Sequence, residues 1–101
     1  MSYYIVVSND TFDHIADRLG TTEAILEKAN PNIEDINQIS VGEHIHIPQS
    51  SRNTVHFVKQ GDTGISIAKD DDTTFKKLQQ LNPKVNWNNL QIGSTIIVPR
   101  D

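Results

Sequence analysis

Residues 4–16, YIVVSNDTFDHIA, and residues 56–68, HFVKQGDTGISIA, are two versions of one phrase set 52 positions apart. Val6 answers Val58, Asp10-Thr11 answers Asp62-Thr63, and Ile15-Ala16 answers Ile67-Ala68. In each version a β-branched and aromatic run, Tyr4 to Ser8 or Val55 to Lys59, reads as a strand that ends in a turn, Asn9-Asp10 or Gly61-Asp62. The period then changes to that of a helix. Thr11 and Thr63 stand at N-cap positions, ahead of Ile15, Ala16 and Leu19 in one copy and Ile65, Ile67 and Ala68 in the other. A strand-to-helix switch that occurs twice makes the chain a tandem array of small units.

Outward from these phrases the match continues through Thr21-Thr22 with Thr73-Thr74, Leu26 with Leu78, and Asn30-Pro31 with Asn82-Pro83. One residue is dropped in the late loop, and at an offset of 51 Gly42 meets Gly93, Ile45 meets Ile96 and Pro48 meets Pro99. A second helix is expected in each copy, carried by Ile25, Leu26 and Ala29 or by Phe75, Leu78 and Leu81, and stopped by Asn-Pro because the residue before proline disfavours α geometry. Closing strands follow at His44 to Ile47 and Thr95 to Val98. The predicted fold class is α+β: two βααβ modules, each a two-stranded antiparallel sheet packed on two helices. Module 1 takes residues 3–48, a polar linker residues 49–54, and module 2 residues 55–100. About 45 residues is near the lower limit for a unit without disulfides, so each should be only modestly stable. An isolated two-stranded pair is marginal in water, so both strands must pack on the helices.

Composition narrows the function. In 101 residues there is no apolar run near the ~20 that a membrane helix needs, so the chain is read as soluble with no membrane partner. Met1 is followed by Ser2-Tyr3-Tyr4, without the basic start and apolar stretch of a secretory leader. Nine Lys and Arg against thirteen Asp and Glu give a net charge of −4, which leaves phosphate-driven nucleic-acid binding little to work with. The charge is uneven: residues 1–50 hold two basic residues, Arg18 and Lys28, against eight acidic, and the remainder seven against five. Halves of opposite sign can attract within one molecule or between molecules, over about 8–10 Å. The absence of cysteine excludes disulfides, thiolate metal sites and Cys nucleophiles.

A Tyr-x-Val strand, a Gly-Asp-Thr turn, Ile-Ala on the first helix, Asn-Pro after the second and a Gly-x-x-Ile finish ending in proline resemble the lysin motif, LysM, here present twice. The second copy is the closer match, with Val58, Gly61-Asp62-Thr63, Ile67-Ala68, Asn82-Pro83, Gly93 and Ile96-Ile97-Val98-Pro99. The resemblance implies a non-catalytic module that binds glycans containing N-acetylglucosamine: chitin, chitin oligomers or the peptidoglycan backbone. It implies no cofactor and an extracellular or cell-wall location. The ligand is expected in a groove between the first strand-to-helix turn and the loop after the second helix. In module 1 these are Asn9, Asp10, Thr11 and Phe12 with Pro31, Asn32, Ile33 and Glu34. In module 2 they are Gly61, Asp62, Thr63 and Gly64 with Pro83, Lys84, Val85 and Asn86. The chemistry agrees, because an N-acetyl group offers a donor, an acceptor and a methyl. A helix start supplies free N–H groups, and the loop supplies carbonyls with Ile33 or Val85 as an apolar contact. One such groove binds weakly, since each hydrogen bond contributes about 0.5–1.5 kcal/mol net, and two grooves on one polymer compensate.

Two residues depart from the family pattern: Asn9 stands where glycine is usual, and Gly64 where a larger apolar residue is usual. Asn9-Asp10-Thr11 is also a glycosylation sequon, and a glycan there would obstruct the first groove. Asp10 and Asp62 read as carboxylates serving the helix N-terminus rather than as catalysts, because a glycosidase needs two acids facing across about 5–10 Å. His44 and His46 share a strand face but lack a third ligand, and Asp70-Asp71-Asp72 lacks the spacing of a calcium loop, so no metal is expected. Trp87, the single tryptophan, falls beside the second groove, with local packing, sugar contact and a module interface all open to it. The rivals to chitin binding are a peptidoglycan-anchoring module of a bacterial cell-wall protein and an assembly protein that self-associates through its charged halves or through shared ligand.

Overall fold

A computed structural model describes residues 2–100. The elements run β1 (Tyr3–Ile5), α1 (Phe12–Leu19), α2 (Glu23–Lys28), β2 (His44–His46), β3 (Asn53–Phe57), α3 (Gly64–Asp70), α4 (Phe75–Leu81) and β4 (Thr95–Pro99). Strand β1 pairs antiparallel with β2, Tyr4 opposite Ile45, and β3 pairs antiparallel with β4, Val55 opposite Ile97. Each half is thus a two-stranded sheet with two helices, as the repeat predicts. Among the described residues no helix is long and apolar enough to cross a membrane.

The helix boundaries follow local chemistry. Thr22, Thr63 and Thr74 each accept an N–H from three residues on, and Thr63 forms a full capping box with Ser66. Thr11 holds the N-cap position of α1 without a cap hydrogen bond. The Thr11 hydroxyl holds the nearby Asp13 carboxyl below the usual range. Gly20 ends α1 in the left-handed region at φ 73°.

The Asn-Pro that stops the second helix does more than stop it. Asn30 is fully buried; its amide donates to the Leu26 carbonyl (2.8 Å) and the His46 carbonyl (3.0 Å), while its oxygen accepts the His46 N–H at 2.7 Å. Asn82 repeats this with Leu78 and both backbone groups of Ile97, each at 2.8 Å. One side chain therefore pins the helix end to the closing strand by supplying the pairing that a third strand would give.

The stretch assigned to the linker is built into the fold. Strand β3 begins at Asn53, two residues before the predicted start of module 2. Ser51 is buried, with its hydroxyl 2.8 Å from the Pro48 and Asn53 carbonyls, and Arg100 closes over it with Nε 3.1 Å from the Ser51 carbonyl. The Arg52 N–H reaches the Gly20 carbonyl (3.2 Å), and Asn53 Nδ2 the Arg18 carbonyl (2.7 Å). A polar composition that reads as a solvated tether is here the hydrogen-bonding equipment of a buried corner.

The two cores meet across it. Ile15, Leu19, Leu26 and Ile45 centre the first, which also takes in Ile97 of β4, with Val55 and Leu81 packed against it. Val58, Ile67, Leu78, Ile96 and Val98 form the second. The Ile5 N–H donates to Thr95 Oγ1 (3.2 Å), and Tyr3 meets Phe57 edge-on at 5.0 Å. The oppositely charged halves dock on each other within one molecule.

Candidate functional site

In each unit the first strand turns into the helix through a left-handed residue, Asn9 at φ 68° and Gly61 at φ 90°. Asparagine tolerates this region better than other side chains, which is why it substitutes for glycine here. The aspartate after it braces the turn. Asp10 Oδ2 accepts from the Tyr4 hydroxyl (2.6 Å) and the Val7 N–H (2.9 Å); Asp62 Oδ2 lies 2.8 Å from His56 Nε2 and accepts the Lys59 N–H at 2.9 Å. These carboxylates serve strand ends, whereas the sequence assigned them to helix N–H groups. Burial, then the bond to Asp10 and its charge, pushes the Tyr4 phenol well above its ordinary value. The His56 bond, then the Lys59 N–H, holds Asp62 below the usual carboxylate range. The Asp10 side chain is fully buried, with Arg18 Nη1 at 3.5 Å and Lys84 Nζ of the other unit at 4.0 Å.

A hollow of about 200 Å³ opens in unit 1 between Asp10, Thr11, Phe12 and Asp13 on one side and Ile36, Asn37 and Ile39 on the other, with Glu23 at its edge. The turn residues are those the sequence named; the loop residues lie further along. Ile33 leans on the core, Pro31, Asn32 and Glu34 are exposed, and none of the four lines the hollow. Asp35 Oδ1 accepts the Asn37 N–H (2.9 Å), as Asn86 Oδ1 accepts the Asn88 N–H (3.1 Å). These side-chain turns place the dropped residue at Glu34 and make Asp35, Ile36 and Ile39 the counterparts of Asn86, Trp87 and Leu90. The repeated Asp/Asn-x-Asn was the available signal for the loop that faces the groove.

In unit 2 the predicted residues divide. Lys84, Val85 and Asn86 line a hollow of about 240 Å³ that faces unit 1, whose Tyr4, Val7 and Arg18 form the opposite wall. Beside it Lys84 Nζ donates to the Asn9 carbonyl at 2.7 Å and, with its approach to Asp10, bridges the two units' predicted sites. Gly61, Asp62, Thr63 and Gly64 lie outside this hollow, as does the exposed Pro83. Trp87 packs locally, edge-to-face with Phe75 at 5.1 Å and 87°.

The histidine and aspartate clusters have other partners. His44 stacks on Tyr3 at 4.0 Å, the His46 backbone is held by Asn30, and Asp71 Oδ2 lies 3.8 Å from His56 Nδ1. Among the described residues no group of three His, Cys, Asp or Glu is placed to hold a metal ion.

A family model described as the LysM domain matches residues 4–48 and again residues 56–99. The chain belongs to the LysM domain family. Over 94 residues it is 45% identical to an endolysin of Bacillus phage PZA, covering 92% of this chain and 36% of that protein. It is 32% identical over 103 residues to the secreted LysM effector ECP6 of Passalora fulva, covering 97% of this chain and 45% of the effector. The chain thus spans less than half the length of either relative. The spore cortex-lytic enzyme SleL of Bacillus megaterium superposes with a TM-score of 0.51 at 23% identity, over 99% of this chain and 23% of that one, a likeness of fold. In unit 1 the braced turn, the start of α1 and a loop carrying Ile36, Asn37 and Ile39 surround one hollow. That arrangement can grip a ligand with a polar edge and a small apolar face.

Proposed function

We propose that the chain is a non-catalytic carbohydrate-binding protein that recognises glycans containing N-acetylglucosamine, chitin oligomers first, in the groove between the first turn and the late loop of each LysM unit. The observation that carries this reading is the hollow of unit 1, where Thr11 and Asn37 face each other beside Phe12, Ile36 and Ile39. Amide and hydroxyl groups there suit the edge of an N-acetyl group and the isoleucines its methyl. The relatedness to a secreted LysM effector and to an endolysin favours a role outside the cell or at its wall. Of the acids at the hollow, Asp10 is buried and engaged by the turn, while Asp13 and Glu23 stand exposed at its rim; the non-catalytic reading is supported by membership of the LysM domain family.

Calorimetric titration with a chitin oligomer, and in parallel with soluble peptidoglycan fragments, tests the reading. The variants are Asn37→Arg and Asn88→Arg, both exposed residues whose turns use only the backbone N–H. Heat with the oligomer that weakens in either variant supports it. Heat only with the peptidoglycan fragments transfers the function to wall anchoring, and heat with neither overturns it.

A further inference from the structure

The two hollows carry opposite charge. The unit 1 hollow is walled by three acids, Asp10, Asp13 and Glu23, with no cation among its lining residues. The hollow between the units is walled by Arg18 of unit 1 and Lys84 of unit 2, with no acid among its lining residues, in a chain whose net charge is −4. It is a product of the joint and is repeated in neither copy: at the repeat offset Arg18 corresponds to Asp70 and Lys84 to Asn32.

The two cations are only partly neutralised. Asp10 is the carboxylate they share, with Oδ1 3.5 Å from Arg18 Nη1 and 4.0 Å from Lys84 Nζ. At those separations Oδ1 accepts no hydrogen bond among the described residues, and Oδ2 is taken by the Tyr4 hydroxyl and the Val7 N–H. One negative charge between two positive ones leaves an excess of one. Lys84 gives one donor to the Asn9 carbonyl. The Arg18 side chain is only 16% exposed, yet its guanidinium makes no hydrogen bond among the described residues. Its five N–H donors are therefore left to solvent or to a ligand. A planar guanidinium pairs best with a carboxylate, through two parallel bonds.

The rest of the wall indicates what carries that carboxylate. Val7, Val85 and Leu90 offer apolar surface, and Asn86, Asn89 and Gln91 offer amides that both donate and accept. At about 240 Å³ the hollow is smaller than the ~300–1,000 Å³ of drug-sized pockets, so the body beside the acid is short. We propose that the hollow between the units is a second binding site, separate from the glycan grooves, for a small organic carboxylate whose body carries an amide and a methyl, the chemistry of an N-acetylated amino acid. The carboxylate meets Arg18 and Lys84, the amide meets the side-chain amides of the loop, and the methyl meets Val85 and Leu90. Because its walls belong to different units, the occupant touches both at once.

The same chemistry is found at the end of a short acylated peptide and on an acidic N-acetylated sugar, and the test separates them. Backbone amide shifts are followed by NMR while the protein is titrated with N-acetylalanine, with its neutral amide, and with inorganic phosphate. N-acetylmuramic acid, set against N-acetylglucosamine, tests a sugar as the carrier. The expected result is saturating shifts at Val7, Asn86, Asn89 and Thr95 with N-acetylalanine, and affinity at least tenfold weaker for the neutral amide and for phosphate. Tighter binding of N-acetylmuramic acid, with N-acetylglucosamine silent at these residues, supports the site with a sugar as the carrier. Arg18→Gln should weaken binding at least tenfold. Arg18 also faces the buried Asp10, so a second variant carries the test independently: Asn89→Asp, an exposed change that sets an acid at the hollow, should weaken binding fivefold or more. No saturating shift, equal shifts with the neutral amide, or undiminished affinity in both variants overturns the site. Phosphate as good as N-acetylalanine overturns it in favour of an adventitious ion only. The chitin titration is a separate experiment: carboxylate shifts without chitin heat leave this site standing while the glycan reading falls, and chitin heat without carboxylate shifts overturns this site alone.

Discussion

Asn82 shows how much one side chain can hold. Truncating it to alanine leaves the Ile97 N–H, the Ile97 carbonyl and one Leu78 contact without their partner in a buried place. A buried group left unpaired costs about 1–3 kcal/mol, so Asn82→Ala should lose on the order of 3 kcal/mol, read from the urea midpoint. The sequence reading saw Asn-Pro as a helix stop, and that is correct, but the cross-strand role was hidden because the partner lies 15 positions away. Asp62 makes a different prediction. Its carboxyl is held low by His56 first, so the stability it contributes is present above the ordinary carboxylate range and is lost as pH falls through its lowered value. In a His56→Phe variant the Asp62 titration, followed by NMR, should move upward, and the stability that Asp62 contributes should shrink, its loss on acidification starting in the same ordinary carboxylate range but ending at a higher pH. The turn aspartates were legible as structural. Their partners, Tyr4 in one unit and His56 in the other, were not, because the pairing needs the strand to fold back over its own turn.

Among the elements, the short helices were the most legible. Thr22 and Thr74 cap α2 and α4, and the spacing of Leu26 and Leu78 sets their buried faces. The late loop was the least legible, because its apolar residues are spaced irregularly and its shape is set by the Asp35 and Asn86 side-chain turns. The connection after α1 is where element and neighbour meet. Gly20 is left-handed at φ 73°, and a Cβ there would sit 2.4 Å from Arg52 Cβ. Gly20→Ala therefore carries the strain of an alanine in that region, about 1–2 kcal/mol, and pushes on the segment that joins the units. The expected outcome is a lower melting temperature, with amide exchange accelerated at Arg52 before the helix itself loosens. A Gly42→Ala change, with nothing within 4 Å of its Cβ, should carry the backbone strain alone and leave Arg52 protected.

For the whole molecule, the repeat revealed two units and concealed that they are welded. Ile97 belongs to the strand of unit 2 and is buried in the core of unit 1. In the alignment it corresponds to His46, so no comparison of the copies marks it as an interface residue. Ile97→Ala should lose about 2–5 kcal/mol. It should also separate the denaturant transitions, unit 1 unfolding ahead of the Trp87 signal that reports unit 2, whereas the parent is expected to unfold in one coincident transition. The charge asymmetry read from the sequence has its structural counterpart in Lys84, whose ammonium lies beside Asp10 and Asn9 of the other unit. The corner at Ser51 has a further consequence for survival. In a string of small modules the joint is ordinarily where proteases cut first, because a cleavable peptide must unfold into the enzyme's cleft. Here the Arg52 backbone donates to Gly20 and accepts from Arg100, and Ser51 lies beneath the Arg100 guanidinium. A trypsin-like enzyme therefore finds an arginine whose side chain is exposed and whose peptide bonds are locked, and the chain meets digestion as one body without a weak link at its middle.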